Sequence, residues 1–227
     1  MTAQTMQIGS RPCRIYGEAH AEYLLLQMTG EHEQQSMDNE VDAIAQSAHQ
    51  FLFAAVPVSN WNDELSPWKS PAVWGKQGFG GNAAATLRFL TEQVIPTLKQ
   101  RFNLPESVKI ILGGYSLAGL FALWASTQTN QFYGVAAASP SVWFPGWMEF
   151  EQQHSIQTQH IYLSLGDKEE CTKNAVMAAV GDNIRTLHSR LAERGTDCTL
   201  EWNSGGHFKD ADLRTAKAFR WAMEEHT

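Results

Sequence analysis

Ser116 and His207 are the residues best placed to do chemistry together in this 227-residue chain. The serine lies in Lys109-Ile110-Ile111-Leu112-Gly113-Gly114-Tyr115-Ser116-Leu117-Ala118-Gly119-Leu120, where a β-type apolar run passes through a small-residue turn into a wholly apolar helix-like segment. A serine at such a corner takes a strained backbone, and small residues two places either side, here Gly114 and Ala118, let strand and helix approach closely enough to hold it. The strain turns the hydroxyl outward at the carboxyl end of a sheet. Beside it stand the N–H groups that open the helix, that of Leu117 first. Such a corner suits attack on a carbonyl carbon. A glycine-rich turn whose serine only caps the helix would have the same letters.

A serine hydroxyl is a poor nucleophile at neutral pH and needs a neutral imidazole whose other nitrogen is held in place. Of the eight histidines, His207 alone sits in a glycine-flanked turn between a late strand and a closing helix, Asn203-Ser204-Gly205-Gly206-His207-Phe208. The loop Gly166-Asp167-Lys168-Glu169-Glu170 offers the acid in the chain order Ser, acid, His. Glu169 is the first choice, Asp167 and Glu170 are alternatives, and a Ser116–His207 dyad ordered by a carbonyl or water competes with all of them. The oxyanion needs two donors. The Leu117 N–H is one; the turn after an early strand supplies the other, with Glu31 N–H expected and Gly30 and His32 in contention. Trp61, Trp68, Trp143 and Phe144 fall on loops at the same rim and are expected to wall a pocket for an apolar or aromatic group.

The elements that must position these residues follow from periodicity. Strand-like segments at 22–28, 51–58, 108–112, 134–138, 160–165 and 198–202 alternate with helical patterns at 39–48, 82–101, 117–126, 173–194 and a closing helix to about 225. Pro96 should kink the second helix or mark a boundary. The residues before about Tyr16 read as an edge strand or irregular lead-in. This alternation predicts an α/β fold with a mostly parallel sheet covered on both faces, in a single domain.

Composition narrows the partners. A net charge of −7 and a pI near 5.6 argue against nucleic-acid and anionic-membrane surfaces. Three cysteines in unrelated settings read as reduced thiols, and the start of the chain has no signal-peptide pattern, so a cytoplasmic protein is expected. Neither a metal nor a cofactor is expected: on an extended segment Glu31, His32 and Glu33 point to alternate sides, and no Lys-Ser or Lys-Thr pair follows the Gly78–Gly81 run.

Taken in order, the motifs carry a resemblance. Phe79-Gly80-Gly81 with Val94-Ile95-Pro96, then Gly113-Gly114-Tyr115-Ser116-Leu117-Ala118-Gly119-Leu120-Phe121-Ala122-Leu123, then Ala138-Ser139-Pro140-Ser141-Val142-Trp143-Phe144, then Gly205-Gly206-His207-Phe208, resemble the Putative esterase family of the α/β-hydrolase fold. The likeness is closest to siderophore-trilactone esterases of the enterochelin esterase type. It implies a Ser–His hydrolase acting on a small-molecule ester, with some relatives managing on a dyad. The chain departs from that family at Thr29-Gly30, where relatives carry Asp-Gly. It departs again at 60–67, which lacks the family's arginine, and at Ala118. These changes surround the pocket, so the resemblance supports acyl chemistry without extending to a siderophore. Acyl transfer by the same machinery and a non-catalytic binding protein are the alternatives.

Overall fold

The computed structural model describes residues 1–31, 33, 36–47 and 49–224. Eight strands form one sheet in the order β1-β2-β4-β3-β7-β8-β9-β10. The parallel part consists of β3 (Tyr23–Thr29), β4 (Phe51–Pro57), β7 (Lys109–Tyr115), β8 (Gly134–Ala138), β9 (His160–Gly166) and β10 (Asp197–Asn203). β1 (Gln4–Ile8) and β2 (Arg11–Gly17) add an antiparallel hairpin at the edge beside β4. The lead-in is therefore an ordered pair of strands. A further two-stranded ribbon, β5 (Lys69–Ser70) and β6 (Phe79–Gly80), stands apart from the sheet.

Alternate residues of the central strands feed opposite layers, as a period of two requires. Leu24, Leu26, Ile110 and Leu112 join α3 (Ala83–Phe89), α4 (Ile95–Arg101), α5 (Leu117–Gln128) and α8 (Val180–Glu193) in one apolar cluster. Tyr23, Leu25, Ile111 and Tyr115 face the other way, into a second cluster with α1 (Met37–Ile44) and α9 (Ala211–Met223). Residues 117–126 are buried on every side, which is why their sequence shows no amphipathic stripe. α8 does carry one: Val180, Ile184, Leu187 and Leu191 recur at helical spacing and are all buried.

Several boundaries differ from expectation for identifiable reasons. The helix expected at 82–101 is α3 and α4 joined through a π-helical stretch, Leu90–Val94. Pro96, near the start of α4, has no N–H to donate, and the widened turn lies just before it. The expected 173–194 helix is two: α7 (Ala175–Ala178), capped by the Asn174 side chain, and then α8. Gly195 closes α8 with φ 78°, and Thr196 N donates to Leu191 O. α1 ends at Ile44, before Ala48 of the expected helix, which lies outside the described residues, as do His32 and the end of the last helix at Glu225. α2 (Trp61–Glu64) and α6 (Trp147–Gln153) are short helices inside segments read as loops.

Candidate active site

Ser116 sits between β7 and α5 with φ 58° and ψ −121°, a conformation costly for any residue with a side chain. Hydrogen bonds hold it there: Ser116 N donates to Ala138 O at 3.1 Å, and its own carbonyl accepts from Leu120 N and Ser141 N. Gly114 must be glycine because a methyl at that position would lie 2.6 Å from Ala118 Cβ. The close approach that the small residues were expected to allow is thus made by the Ala118 methyl itself.

From this corner a line of contacts crosses three loops. Ser116 Oγ lies 3.0 Å from His207 Nε2, and His207 Nδ1 lies 2.6 Å from Glu169 Oε2. Glu169 Oε1 accepts from Gly166 N at 2.7 Å, Ser139 Oγ at 2.8 Å and Arg214 Nη1 at 3.2 Å. Burial pushes the Glu169 carboxyl up, but the hydrogen bond and charge of His207, with the Gly166 and Ser139 donors, outweigh it and leave the group below its ordinary value. Glu169 is therefore ionised at neutral pH. An ionised carboxylate can only accept, so Nδ1 carries the imidazole proton and Nε2 turns a lone pair toward the serine. Ser116 then donates to Nε2, and Ser141 Oγ, 3.3 Å from Ser116 Oγ, is left as donor to the serine oxygen.

Residues 37–211 match the family described as Putative esterase. The chain belongs to that family of carboxylic ester hydrolases. No curated protein matches the sequence closely enough to count. Among solved structures, the chain superposes on an IroE-like serine hydrolase from Shewanella oneidensis with TM-score 0.80 at 14% identity, covering 96% of this chain and 79% of that one. Siderophore hydrolase EstB from Aspergillus nidulans gives 0.73 at 16% identity, with 98% and 95% covered. The enterobactin esterase of Shigella flexneri gives 0.70 at 15% identity; 98% of this chain is covered but only 59% of that one. At these identities the likeness is one of fold, and it is the α/β-hydrolase fold that the family resemblance implies.

The other acids of the Gly166–Glu170 loop have different partners. Asp167 accepts from Gly205 N at 2.7 Å and so ties down the loop carrying His207. Glu170 takes both Arg185 nitrogens, at 2.9 and 3.0 Å. For the oxyanion, Leu117 opens α5, where amides lack an intrahelical acceptor. In the turn after β3, Gly30 N is already committed to Glu33 Oε2 at 2.9 Å, while Glu31 is exposed. His32 lies outside the described residues.

The aromatic residues divide. Trp61 lies against Gly30, its ring 3.2 Å from where a Cβ would stand, and is only partly buried. Trp143 is likewise partly buried and packs on Phe79 at 6.3 Å. Phe144 is only 2% exposed and belongs to the core, against the expectation that it walls a pocket. Trp68 is a brace: its Nε1 donates to Pro145 O at 2.9 Å, and its ring packs on Phe144 and Phe150. Phe144 alone leaves the rim, because it packs into the core against Phe79 and Trp68. A cleft of about 750 Å³ is lined by Asn60, Asp63, Lys69, Gln77 and Phe79 among others, but not by Ser116, Glu169 or His207. Among the described residues no group of acids, histidines and cysteines could hold a metal, and no helix is long and apolar enough to cross a membrane.

Sequence reasoning missed Ser139, Ser141, Tyr115 and Arg214. Tyr115 OH donates to His207 O at 2.6 Å. Arg214 was detectable in principle: with Ala218 and Ala222 it forms a buried stripe on α9, where a charge is out of place without a partner.

Proposed function

We propose that this esterase cleaves a small-molecule carboxylic ester through an acyl-enzyme on Ser116. His207 Nε2 takes the hydroxyl proton as Oγ attacks the carbonyl, and returns it to the leaving alcohol as the C–O bond breaks. Glu169 holds the ring and balances the imidazolium. Water, deprotonated by the same nitrogen, then releases the acid. The Leu117 and Glu31 N–H groups receive the charge on the carbonyl oxygen, where each such donor is worth about 3 kcal/mol. Trp61 and Trp143 border the acyl or alcohol group. The observation that supports this most directly is the unbroken line from Ser116 Oγ at 3.0 Å through His207 to Glu169 at 2.6 Å. The names of the superposed proteins, a serine hydrolase, a siderophore hydrolase and an enterobactin esterase, fit ester cleavage.

A fluorophosphonate reacts only with an activated serine, so labelling of the wild type and its loss in Ser116→Ala test the nucleophile. Turnover of acetyl, aromatic acyl and lactone esters, with and without an added alcohol acceptor, reads pocket size and separates hydrolysis from acyl transfer. A wild-type protein that neither labels nor turns over any of these esters would refute the proposal.

A further inference from the structure

Arg214 is 3% exposed and spends its guanidinium on three groups that belong to different parts of the site. Nη1 donates to Glu169 Oε1 and to Tyr115 OH, both at 3.2 Å, and Nη2 donates to Ser204 O at 3.1 Å. The tyrosine hydroxyl has one proton, which goes to His207 O, so its lone pairs are what Arg214 meets. The relay therefore has a fixed direction, from Arg214 through Tyr115 to the backbone of the catalytic histidine.

We propose that Arg214, through Glu169 and through the Tyr115 hydroxyl, is a positioning residue of the esterase, fixing the carboxylate and the imidazole loop to one buried cation. This rests on the Ser116–His207–Glu169 reading above. Gly205 and Gly206 leave the two residues before His207 without side chains to pack, so the loop is held by its backbone, at Gly205 N by Asp167 and at the flanking carbonyls by Arg214 and Tyr115. Arg214 seizes it on either side of those glycines, at Ser204 O directly and at His207 O through Tyr115. Tyr115 adds its ring, whose centroid lies 5.1 Å from that of His207. The same fork occupies Glu169 Oε1, which leaves Oε2 facing Nδ1. A lysine carries the charge but not the planar fork, and cannot reach the carboxylate, the phenol and the Ser204 carbonyl at once.

The alternative is a cation that matters only for its field. A positive charge there opposes the imidazolium, so an electrostatic role predicts that Arg214→Lys is silent. Positioning predicts that Arg214→Lys lowers kcat by about 10- to 100-fold with KM changed less than about threefold, as for a small misplacement of the base. Because one of its arms ends on Glu169, Arg214→Lys should cost less in a Glu169→Gln background than in the wild type. Equal losses in both backgrounds, or an Arg214→Lys enzyme within threefold of the wild type, overturn the inference. If Arg214→Lys does not fold, Tyr115→Phe removes only the relay hydroxyl. It should lower kcat by about tenfold at unchanged KM, and a value within threefold of wild type overturns the inference equally. Wild-type labelling by fluorophosphonate separates the two levels. Without labelling the acyl-enzyme reading falls and takes this one with it; labelling with kinetically silent Arg214→Lys removes this one alone.

Discussion

Glu169→Gln is the sharpest perturbation of the site, because the structure dictates how the amide must lie. Three donors converge on the Oε1 position, from Gly166 N, Ser139 Oγ and Arg214 Nη1. The amide oxygen goes there, since an NH2 would face donors. The NH2 then faces His207 Nδ1, where the carboxylate had accepted at 2.6 Å. Only an unprotonated Nδ1 can meet a donor, so the imidazole proton moves to Nε2 and points at Ser116. The base is then in the wrong tautomer. The corresponding change in a serine protease costs about 10⁴-fold in kcat. That is about 5 kcal/mol of barrier at 1.36 kcal/mol per factor of ten. KM should change little, since no substrate contact is lost.

Turnover of p-nitrophenyl acetate and the rate of fluorophosphonate labelling measure the loss, with circular dichroism as a fold control. The control is needed because Arg214 loses its charged partner, and breaking a buried ion pair costs up to about 3–5 kcal/mol. A second readout is the acid limb of stability. Glu169 has a folded-state pKa below its ordinary 4.5, so the stability it contributes is present above that value and is lost as pH falls through the lower one. The wild type should therefore lose stability more steeply than Glu169→Gln as acid is added below pH 4.5. A folded Glu169→Gln enzyme within tenfold of wild-type kcat would refute the tautomer argument and leave a dyad.

Three further sites give predictions. Gly166→Ala drives a methyl into the Gly205 carbonyl oxygen, and should displace the histidine loop and lower kcat by about 10²-fold with native circular dichroism. Glu151 is fully buried between Arg190 at 3.0 Å and Arg194 at 2.5 Å, while both arginines reach solvent. Removing both arginines leaves a buried charge and should cost about 3–5 kcal/mol in urea denaturation; Glu151→Leu, which removes the charge, should cost less. The opposite ranking would contradict that asymmetry. Glu40 is buried, and that burial, with Asp212 and Glu33 nearby, raises its carboxyl well above the ordinary value despite the Gln27 donor. The folded state then holds a proton that the unfolded chain has lost, so stability falls as pH rises above 4.5 toward the folded value. Glu40→Gln should raise the Tm at pH 8 and leave it nearly unchanged at pH 4; equal shifts at both would refute the assignment.

The parallel sheet was legible because its central strands are announced by apolar runs and its edge strand β10 by alternation, with helices filling the intervals. What escaped had weak local signals. β1 and β2 alternate polar and apolar residues too irregularly to read singly, and their pairing is supplied by each other and by β4. α6 was hidden because it is short and its buried positions, Trp147 and Glu151, pair an aromatic residue with a charged one. Phe144 was misplaced for a related reason: an aromatic ring on a loop near a strand end has the same letters whether it walls a pocket or packs into the core beneath one.

The same distinction governs the site. Ser116, His207 and Glu169, the proposed catalytic groups, could be expected to converge because each has a backbone requirement that writes itself into neighbouring residues: small residues about the elbow, glycines before the imidazole, a short turn carrying the acid. Arg214 makes no such demand. It occupies an ordinary helical position on α9, and only its burial against Glu169 distinguishes it from the surface cations nearby. Groups that break bonds constrain the main chain around them, whereas groups that aim those side chains constrain only whatever packs against them from elsewhere in the fold. Sequence reading therefore reaches the first kind sooner. For the second kind, the strongest local trace is a charged residue on an otherwise apolar helical stripe, as at Arg214, Ala218 and Ala222.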